Sequence, residues 1–303
     1  MKFEVTILGS SSATPVFDRN PTAQILNVNE KLFLIDCGEG TQQQLLRYGI
    51  KAQRIGHIFI SHLHGDHYLG LIGLLSSLNL NGRNKPVYLY GPPELKEILD
   101  IQFKYSQTQL RYPLHFYSTQ ADTSATIFEN FDVVVETIIL DHRIPCTGFK
   151  FSQKRRSPKV RKDKIEELNI PPEQVSLIKE GANFIDERGG IHTTDELTTP
   201  AEDPKVYAYC SDTLCSWGYL EHIKGVDLLY HEATFMHDML DRAKCTFHTT
   251  AQQAGEVALQ AQAKCLLIGH FSARYRELNP LLDECRLTFP NTMLALEGQT
   301  FAI

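Results

Sequence analysis

Apolar and polar positions alternate along the chain in short runs broken by turn residues. Runs rich in β-branched and aromatic residues predict strands at Phe3–Leu8, Ala23–Val28, Leu32–Ile35, His57–Ile60, Val87–Tyr90, Phe131–Ile139, Val206–Tyr209, Asp227–Tyr230, Cys265–Gly269 and Met293–Glu297. Segments with helical spacing fall between several of them. Gly40–Tyr48 follows a glycine turn, and Pro93–Phe103 carries a proline in its first turn, where no N–H partner is lost. Thr249–Gln262 is rich in the helix formers Ala and Gln, and Pro280–Leu287 is a last candidate. Tyr68–Ser77 is apolar on most faces, which predicts a half-buried helix. The early strands are close enough in sequence to pair as hairpins, and the later ones alternate with helices. That mixture predicts an α/β sandwich with sheets inside and helices outside.

One segment breaks the pattern. From Lys154 to Lys164 the chain reads KRRSPKVRKDK, seven basic residues and one acid, with no apolar periodicity. Pro171-Pro172 and Gly189-Gly190 predict irregular chain until about Pro204. Taken alone, such a charge run is a solvated loop.

Composition narrows the class. The 303 residues suit one large domain or two modest ones and can bury a sizeable core. The 42% hydrophobic and 22% charged content excludes disorder, collagen and coiled coil. The uncharged stretch Tyr68–Gly82 is interrupted by Gly, Ser and Asn and is too short to span a bilayer. Glu4 and Ser10-Ser11-Ser12 leave no apolar run for a signal peptide. The seven cysteines contain no CxxC pair, so reduced thiols in the cytoplasm are expected. A net charge of −6 argues against a generally basic nucleic-acid binder. The average conceals a division: Lys154–Lys164 carries +6, so the remaining residues sum to −12.

The strongest chemical signal is Ser61-His62-Leu63-His64-Gly65-Asp66-His67, which follows a predicted strand and precedes a predicted helix. In extended chain, His62 and His64 point the same way. Gly65 permits a sharp turn, and Asp66 and His67 then sit at the start of the helix. Four ligand-type side chains thus converge from one loop, a crowding that a bound cation would hold in register. Neutral imidazoles and carboxylates suit Zn²⁺, and Mn²⁺ or Fe²⁺ can use the same donors.

This HxHxDH spacing resembles the signature of the metallo-β-lactamase superfamily. Asp141-His142-Arg143-Ile144-Pro145, Tyr209-Cys210-Ser211-Asp212-Thr213, His231-Glu232-Ala233-Thr234-Phe235, His248-Thr249-Thr250 and Gly269-His270-Phe271-Ser272-Ala273-Arg274-Tyr275 follow in order. Together they resemble the ribonuclease Z family of tRNA 3′-processing endonucleases, nearly end to end. The resemblance implies a four-layer αββα sandwich of metallo-β-lactamase type over residues 1–303, with an inserted flexible arm at 152–203. It implies two Zn²⁺ ions per subunit: His62, His64 and His142 on one, Asp66, His67 and His270 on the other, and Asp212 between them. Asp66 would also orient an attacking water, His248 would protonate the leaving 3′-oxygen, and Glu232 would orient and charge His248. Histidine suits that role because its unperturbed pKa is near 6.5. Ser272 and Arg274 would contact phosphate, Arg274 through its bidentate fork. His231 would support the site by hydrogen bonds.

The resemblance also gives the basic run a purpose. Arms inserted at this interval grip the tRNA elbow across a homodimer, so Lys154, Arg155, Arg156, Lys159, Arg161 and Lys162 are expected to contact the phosphates of precursor tRNA. The products would be a tRNA with a 3′-hydroxyl and a trailer with a 5′-phosphate. Three positions depart from the family pattern: Phe17 where many members carry lysine, Glu173 after the two prolines where Gly-Pro is common, and Thr249 in place of serine. The Phe17 loop bears on discrimination of the tRNA 3′ end. A small-molecule phosphodiesterase and a non-catalytic RNA-binding scaffold are the alternatives. The first has no use for the basic run, and the second has none for a complete ligand set.

Overall fold

Residues 2–16 and 18–303 are described by the structure, a computed structural model; Phe17, singled out above, lies outside the described residues. Two seven-stranded sheets form the frame. The first runs in the order Thr300–Ala302, Phe3–Gly9, Ala23–Val28, Lys31–Ile35, Ile55–Phe59, Val87–Gly91 and Leu114–Ser118. Its first four strands pair antiparallel, and pairing is parallel from Lys31–Ile35 onward. The second runs Thr292–Leu294, Leu266–Gly269, Leu228–Glu232, Val206–Cys210, Cys146–Gln153, Val133–Leu140 and Thr126–Glu129. There the first four strands are parallel, and Val206–Cys210 meets Cys146–Gln153 antiparallel.

Side-chain alternation explains the layering. Phe33 and Ile35 face the core between the sheets, as do Tyr207 and Tyr209 across from them, while Leu32, Leu34, Ala208 and Cys210 face outward onto helices. Both faces of these strands are buried, so their sequences read as nearly continuous apolar runs. The inter-sheet core is aromatic: Phe59 stacks on Tyr90 at 4.6 Å and meets Phe151 edge-on at 5.4 Å. Helices Thr41–Arg47, Leu71–Leu80 and Glu94–Tyr105 cover the first sheet, and Ala251–Gln260 and Asn279–Thr288 cover the second. The result is the expected four-layer αββα sandwich.

Several elements differ from expectation. Strands Leu114–Ser118, Thr126–Glu129, Cys146–Gln153 and Thr300–Ala302, and helix Leu240–Thr246, were not legible in the pattern. The helix expected at Tyr68–Ser77 is two helices, Gly65–Tyr68 and Leu71–Leu80. The break falls where Gly70 donates its N–H to Cys37 O; a Cβ there would lie 2.2 Å from Gly38 O. Only glycine admits that approach of two backbones.

Residues 153–204 form a compact unit of their own. The expectation of irregular chain there is corrected. Helices Lys162–Glu167, Pro172–Lys179 and Thr194–Leu197 and two short two-stranded ribbons enclose a small core of Val160, Ile170, Ile178, Phe184 and Leu197. Local chemistry sets these elements: Pro172 begins its helix, and Thr193 and Glu196 form a capping box. Its apolar residues are too widely spaced to produce a periodic signal. The unit is also not basic as a whole, with nine Lys and Arg against eleven Asp and Glu. The positive charge is a local stripe, and part of it is paired: Arg155 with Asp203 at 3.3 Å, Arg161 with Asp163 at 2.6 Å and Lys164 with Glu167 at 2.6 Å.

Candidate metal centre

The site lies at the C-terminal ends of parallel strands, where loops carry side chains out of a rigid sheet. Ile55–Phe59 leads into His62, His64, Asp66 and His67; Val206–Cys210 leads to Asp212; Leu228–Glu232 ends on Glu232; and Leu266–Gly269 leads to His270. His142 follows Val133–Leu140 across the same edge. Two donor groups result. In the first, His64 Nδ1 is 3.1 Å from both His62 Nε2 and His142 Nε2, and Asp212 Oδ2 is 3.5 Å from His62 Nε2 and 3.8 Å from His142 Nε2. In the second, Asp66 Oδ2 is 3.5 Å from His67 Nε2 and 3.3 Å from His270 Nε2. Asp212 turns its other oxygen, Oδ1, to this group, 3.4 Å from His67 Nε2 and 3.1 Å from His270 Nε2.

A layer of hydrogen bonds fixes which ring nitrogen faces the site. Asp36 Oδ2 accepts from His67 Nδ1 at 2.7 Å, Tyr209 OH at 2.6 Å and Ser61 Oγ at 2.9 Å. Having donated its proton to Asp36, Ser61 Oγ accepts from His62 Nδ1 at 3.0 Å. His142 Nδ1 donates to Phe247 O at 2.9 Å. Thr234 Oγ1 donates to Glu232 Oε2 at 2.6 Å and so accepts from His270 Nδ1 at 2.8 Å. In each of these four rings the outer nitrogen is the one held by this layer, and Nε2 is the atom turned inward.

Charge and burial test whether cations fit. Burial foremost lowers the basicity of His62, His64 and His142, the last two to about 4, which keeps them neutral donors. His67 goes the other way: burial opposes its charge, but Asp212, Asp66 and Asp36 outweigh it and raise the ring above its ordinary value. Burial also opposes charge on Asp66 and Asp212, yet the surrounding imidazoles hold both carboxyls below their usual range. His67 Nε2 and Asp212 Oδ1 are buried without a hydrogen-bond partner. Ionised carboxylates, the neutral imidazoles of His62, His64 and His142, and orphaned inward-facing atoms are the surroundings a divalent cation requires, and such a cation would displace the proton that the three carboxylates favour on His67. The residues fit such ions.

Glu232 and His248 flank this cluster. His248 Nδ1 donates to Glu232 Oε1 at 2.8 Å, and burial, which disfavours its charge, is outweighed by Glu232, so the ring is raised to about 9. The backbone N–H groups of Thr213 and Thr234 hold Glu232 at 3.0 and 3.1 Å. Phe247 ends helix Leu240–Thr246 in a left-handed conformation, and Thr250 caps helix Ala251–Gln260 through a capping box with Gln253. His248 is therefore pinned between two helix ends. Arg274 lies 5.2 Å above the Phe235 ring and donates from Nε to Ser272 Oγ at 3.1 Å; Phe235 in turn is 6.1 Å from the His248 ring. His231 is buried and bonds Tyr219 OH and Glu232 O. Lys154, Arg155, Arg156, Lys159, Arg161 and Lys162 belong to the separate unit.

Sequence reasoning gave no role to Asp36, Ser61, Thr234, Ser12 or Ala13. Ala13 N donates to Asp66 Oδ2 at 2.6 Å, and Ser12 N and Phe271 N pair the loop with the His270 segment. Ala13, Asp36 and His270 all have left-handed φ, at 57°, 55° and 58°. Strain of this kind gathers where surrounding contacts over-determine a site. The only sequence signal for Asp36 is its position at a strand end before Cys37-Gly38-Glu39-Gly40.

Glu297 fastens that loop from behind. It accepts from Asn20 N and Gln44 Nε2, each at 2.5 Å, while Arg19 Nη2 donates to Tyr275 O at 2.9 Å. Burial raises its carboxyl to about 7, against the lowering effect of the Asn20 and Ser10 amides and of Arg19 and Arg47. A carboxyl raised on folding stabilises below its unfolded pKa and loses that contribution as pH rises through about 7. Glu297→Gln is therefore expected to flatten the fall of melting temperature between about pH 5 and 8. Parallel melting curves for the two proteins across that range would sink this assignment.

Residues 3–199 match the family described as Anti-Pycsar protein Apyc1. Over 305 residues the chain is 48% identical to ribonuclease Z of Cytophaga hutchinsonii, covering 100% of this chain and 97% of that one. It is 43% identical over 297 residues to ribonuclease Z of Bacteroides fragilis, covering 98% of each. Among solved structures, the short form of human tRNase Z superposes with a TM-score of 0.70 at 28% identity over 99% of both chains. The metallo-β-lactamase fold protein YhfI of Bacillus subtilis gives the same TM-score at 18% identity over 99% of each, which attests the fold. Likeness at this level over both whole chains, on a metallo-β-lactamase fold with the donor groups described above, makes the chain a member of the ribonuclease Z family.

Proposed function

We propose that this chain is a metal-dependent endoribonuclease that removes the 3′ trailer from precursor tRNA, leaving a 3′-hydroxyl on the tRNA and a 5′-phosphate on the trailer. The observation that carries the reading is Asp212, whose two oxygens each face a separate group of nitrogen donors. His62, His64 and His142 would hold one ion, Asp66, His67 and His270 a second, and Asp212 both. Nitrogen and oxygen donors without cysteine suit two Zn²⁺ ions. When bound, such a pair supplies Lewis acidity at the phosphoryl oxygens and acidifies a water. The chain's own residues do the rest. Asp66, held by Ala13 N, accepts a hydrogen bond from the attacking water and orients it. His248, charged beside Glu232, donates its proton to the leaving 3′-oxygen. Arg274, supported by Phe235 and Ser272, offers its guanidinium to a phosphate.

Residues 152–203 act as the tRNA-binding insertion, with the 154–164 stripe on phosphates, and in a homodimer they serve the partner's site. Unpaired cysteines support a reducing, cytoplasmic setting, and among the described residues no helix is long and apolar enough to cross a membrane.

The direct test is cleavage of a 3′-extended precursor tRNA by zinc-loaded enzyme, mapping the cut and both end groups. A 3′-hydroxyl at the tRNA end is expected. No cleavage by an enzyme that hydrolyses a chromogenic phosphodiester would favour a small-molecule phosphodiesterase. Converting Lys159, Arg161 and Lys162 to glutamine should weaken precursor binding and reduce the dependence of log K on log salt by roughly two to three units. An unchanged salt slope would count against phosphate contacts by this stripe.

A further inference from the structure

A cavity of about 570 Å³ opens beside His142, and apart from Ser61 and His142 its lining has no part in the chemistry above. Its walls come from three places: Pro92-Pro93-Glu94 at the start of a helix, Thr119–Asp122 after the edge strand, and Asp141–Pro145. The size is that of a site for one small organic group. Two physical features specify the group.

The first is charge. Carboxylates of Glu94, Asp122 and Asp141 line the cavity against a single guanidinium, Arg143. An acidic enclosure of this kind repels a phosphodiester backbone. It accepts a neutral group that carries hydrogen-bond donors, and carboxylates pair with the exocyclic amino groups of bases. Pro92, Ile144 and Pro145 add apolar surface for a flat ring. The second feature is Thr119, a residue of the cavity wall whose hydroxyl can both donate and accept a hydrogen bond.

Position gives the register. His142 lines the cavity, and its ring centre is 5.3 Å from that of His248. The nucleotide on the 5′ side of the scissile bond carries the oxygen that His248 protonates, so its ribose sits beside His248 and its base can cross His142. Unpaired RNA bases are read in this way, splayed out and bonded along their edges.

We propose that this cavity binds the base of the nucleotide on the 5′ side of the cut, the last nucleotide of the mature tRNA. It selects bases with an exocyclic amino group over uracil. The proposal rests on the endoribonuclease reading.

The test uses full-length, metal-loaded enzyme and four precursor tRNAs that differ only in that nucleotide. For A, C and G, kcat/KM should exceed the value for U about tenfold, the scale of one carboxylate–amine pair. The double substitution E94Q/D122N should erase the preference, and Ala121→Trp, which fills the cavity, should lower kcat/KM for all four about tenfold, mainly through KM. Metal content and melting temperature of each variant report intact folding. Equal kcat/KM for all four substrates in the unaltered enzyme, or a preference that survives E94Q/D122N, overturns the cavity assignment alone. Failure to cut any of the four, by enzyme that hydrolyses bis(p-nitrophenyl) phosphate, overturns the endoribonuclease reading and the cavity assignment with it.

Discussion

Replacing Asp212 with alanine is expected to lower turnover of precursor tRNA by about a thousandfold or more, the several kcal/mol that cation-assisted stabilisation contributes. Among the described residues no other serves both donor groups: Oδ2 faces His62 and His142, and Oδ1 faces His67 and His270. Removing it leaves each group with imidazoles and at most one carboxylate, so metal analysis should record loss of bound ion as well as of activity. Asp212→Asn separates charge from shape, since it keeps the reach of the side chain but loses its negative charge. Its metal content should fall between the two. An alanine variant with full metal content and full turnover would remove Asp212 from the mechanism.

The second large effect is expected at His248. Loss of a general acid costs on the order of 10² to 10⁴ in rate. His248→Ala should lose that factor on precursor tRNA, whose leaving 3′-oxygen is a poor leaving group without a proton. Its metal content should stay near normal, because its Nδ1 is bonded to Glu232 and each of the two donor groups keeps all its own ligands without this ring. A substrate that expels nitrophenolate needs no proton on departure, so the defect should shrink sharply there. Glu232→Gln should show the same dependence on leaving group in weaker form. An equal defect on both substrates would make His248 a structural residue and reassign the proton donor.

How much of this was legible follows from where the interactions lie in sequence. His62, His64, Asp66 and His67 stand in one loop, so spacing alone exposed them. His142, Asp212 and His270 come from separate strand ends, and only the resemblance joined them to the first four. Asp36 and Thr234 escaped because their role is a hydrogen bond to a ring far away in sequence, which no local pattern encodes. Strand Cys146–Gln153 was hidden behind Pro145 and its polar ends, although Phe149-Lys150-Phe151 alternates as a strand should. Residues 153–204 were misread as irregular for a related reason. Their core is assembled from single apolar residues on different short elements, and periodicity detects only stripes within one element. The basic run was legible as charge, but not as a stripe already partly matched by acids of the same unit.

The point at which the insertion leaves the sheet has a consequence for how such proteins diverge. Ser152 and Val206 are direct antiparallel partners, so the chain departs and returns at the two ends of one rung of the ladder. To the sheet, everything between them is the connection of a hairpin. Loop closure grows only by about 0.6 kcal/mol for each doubling of length. A short turn, a longer excursion or an altogether different small fold could join the same two strands without disturbing register, core or donor groups. A whole module can therefore be exchanged at this joint while the αββα sandwich keeps its sequence constraints unchanged.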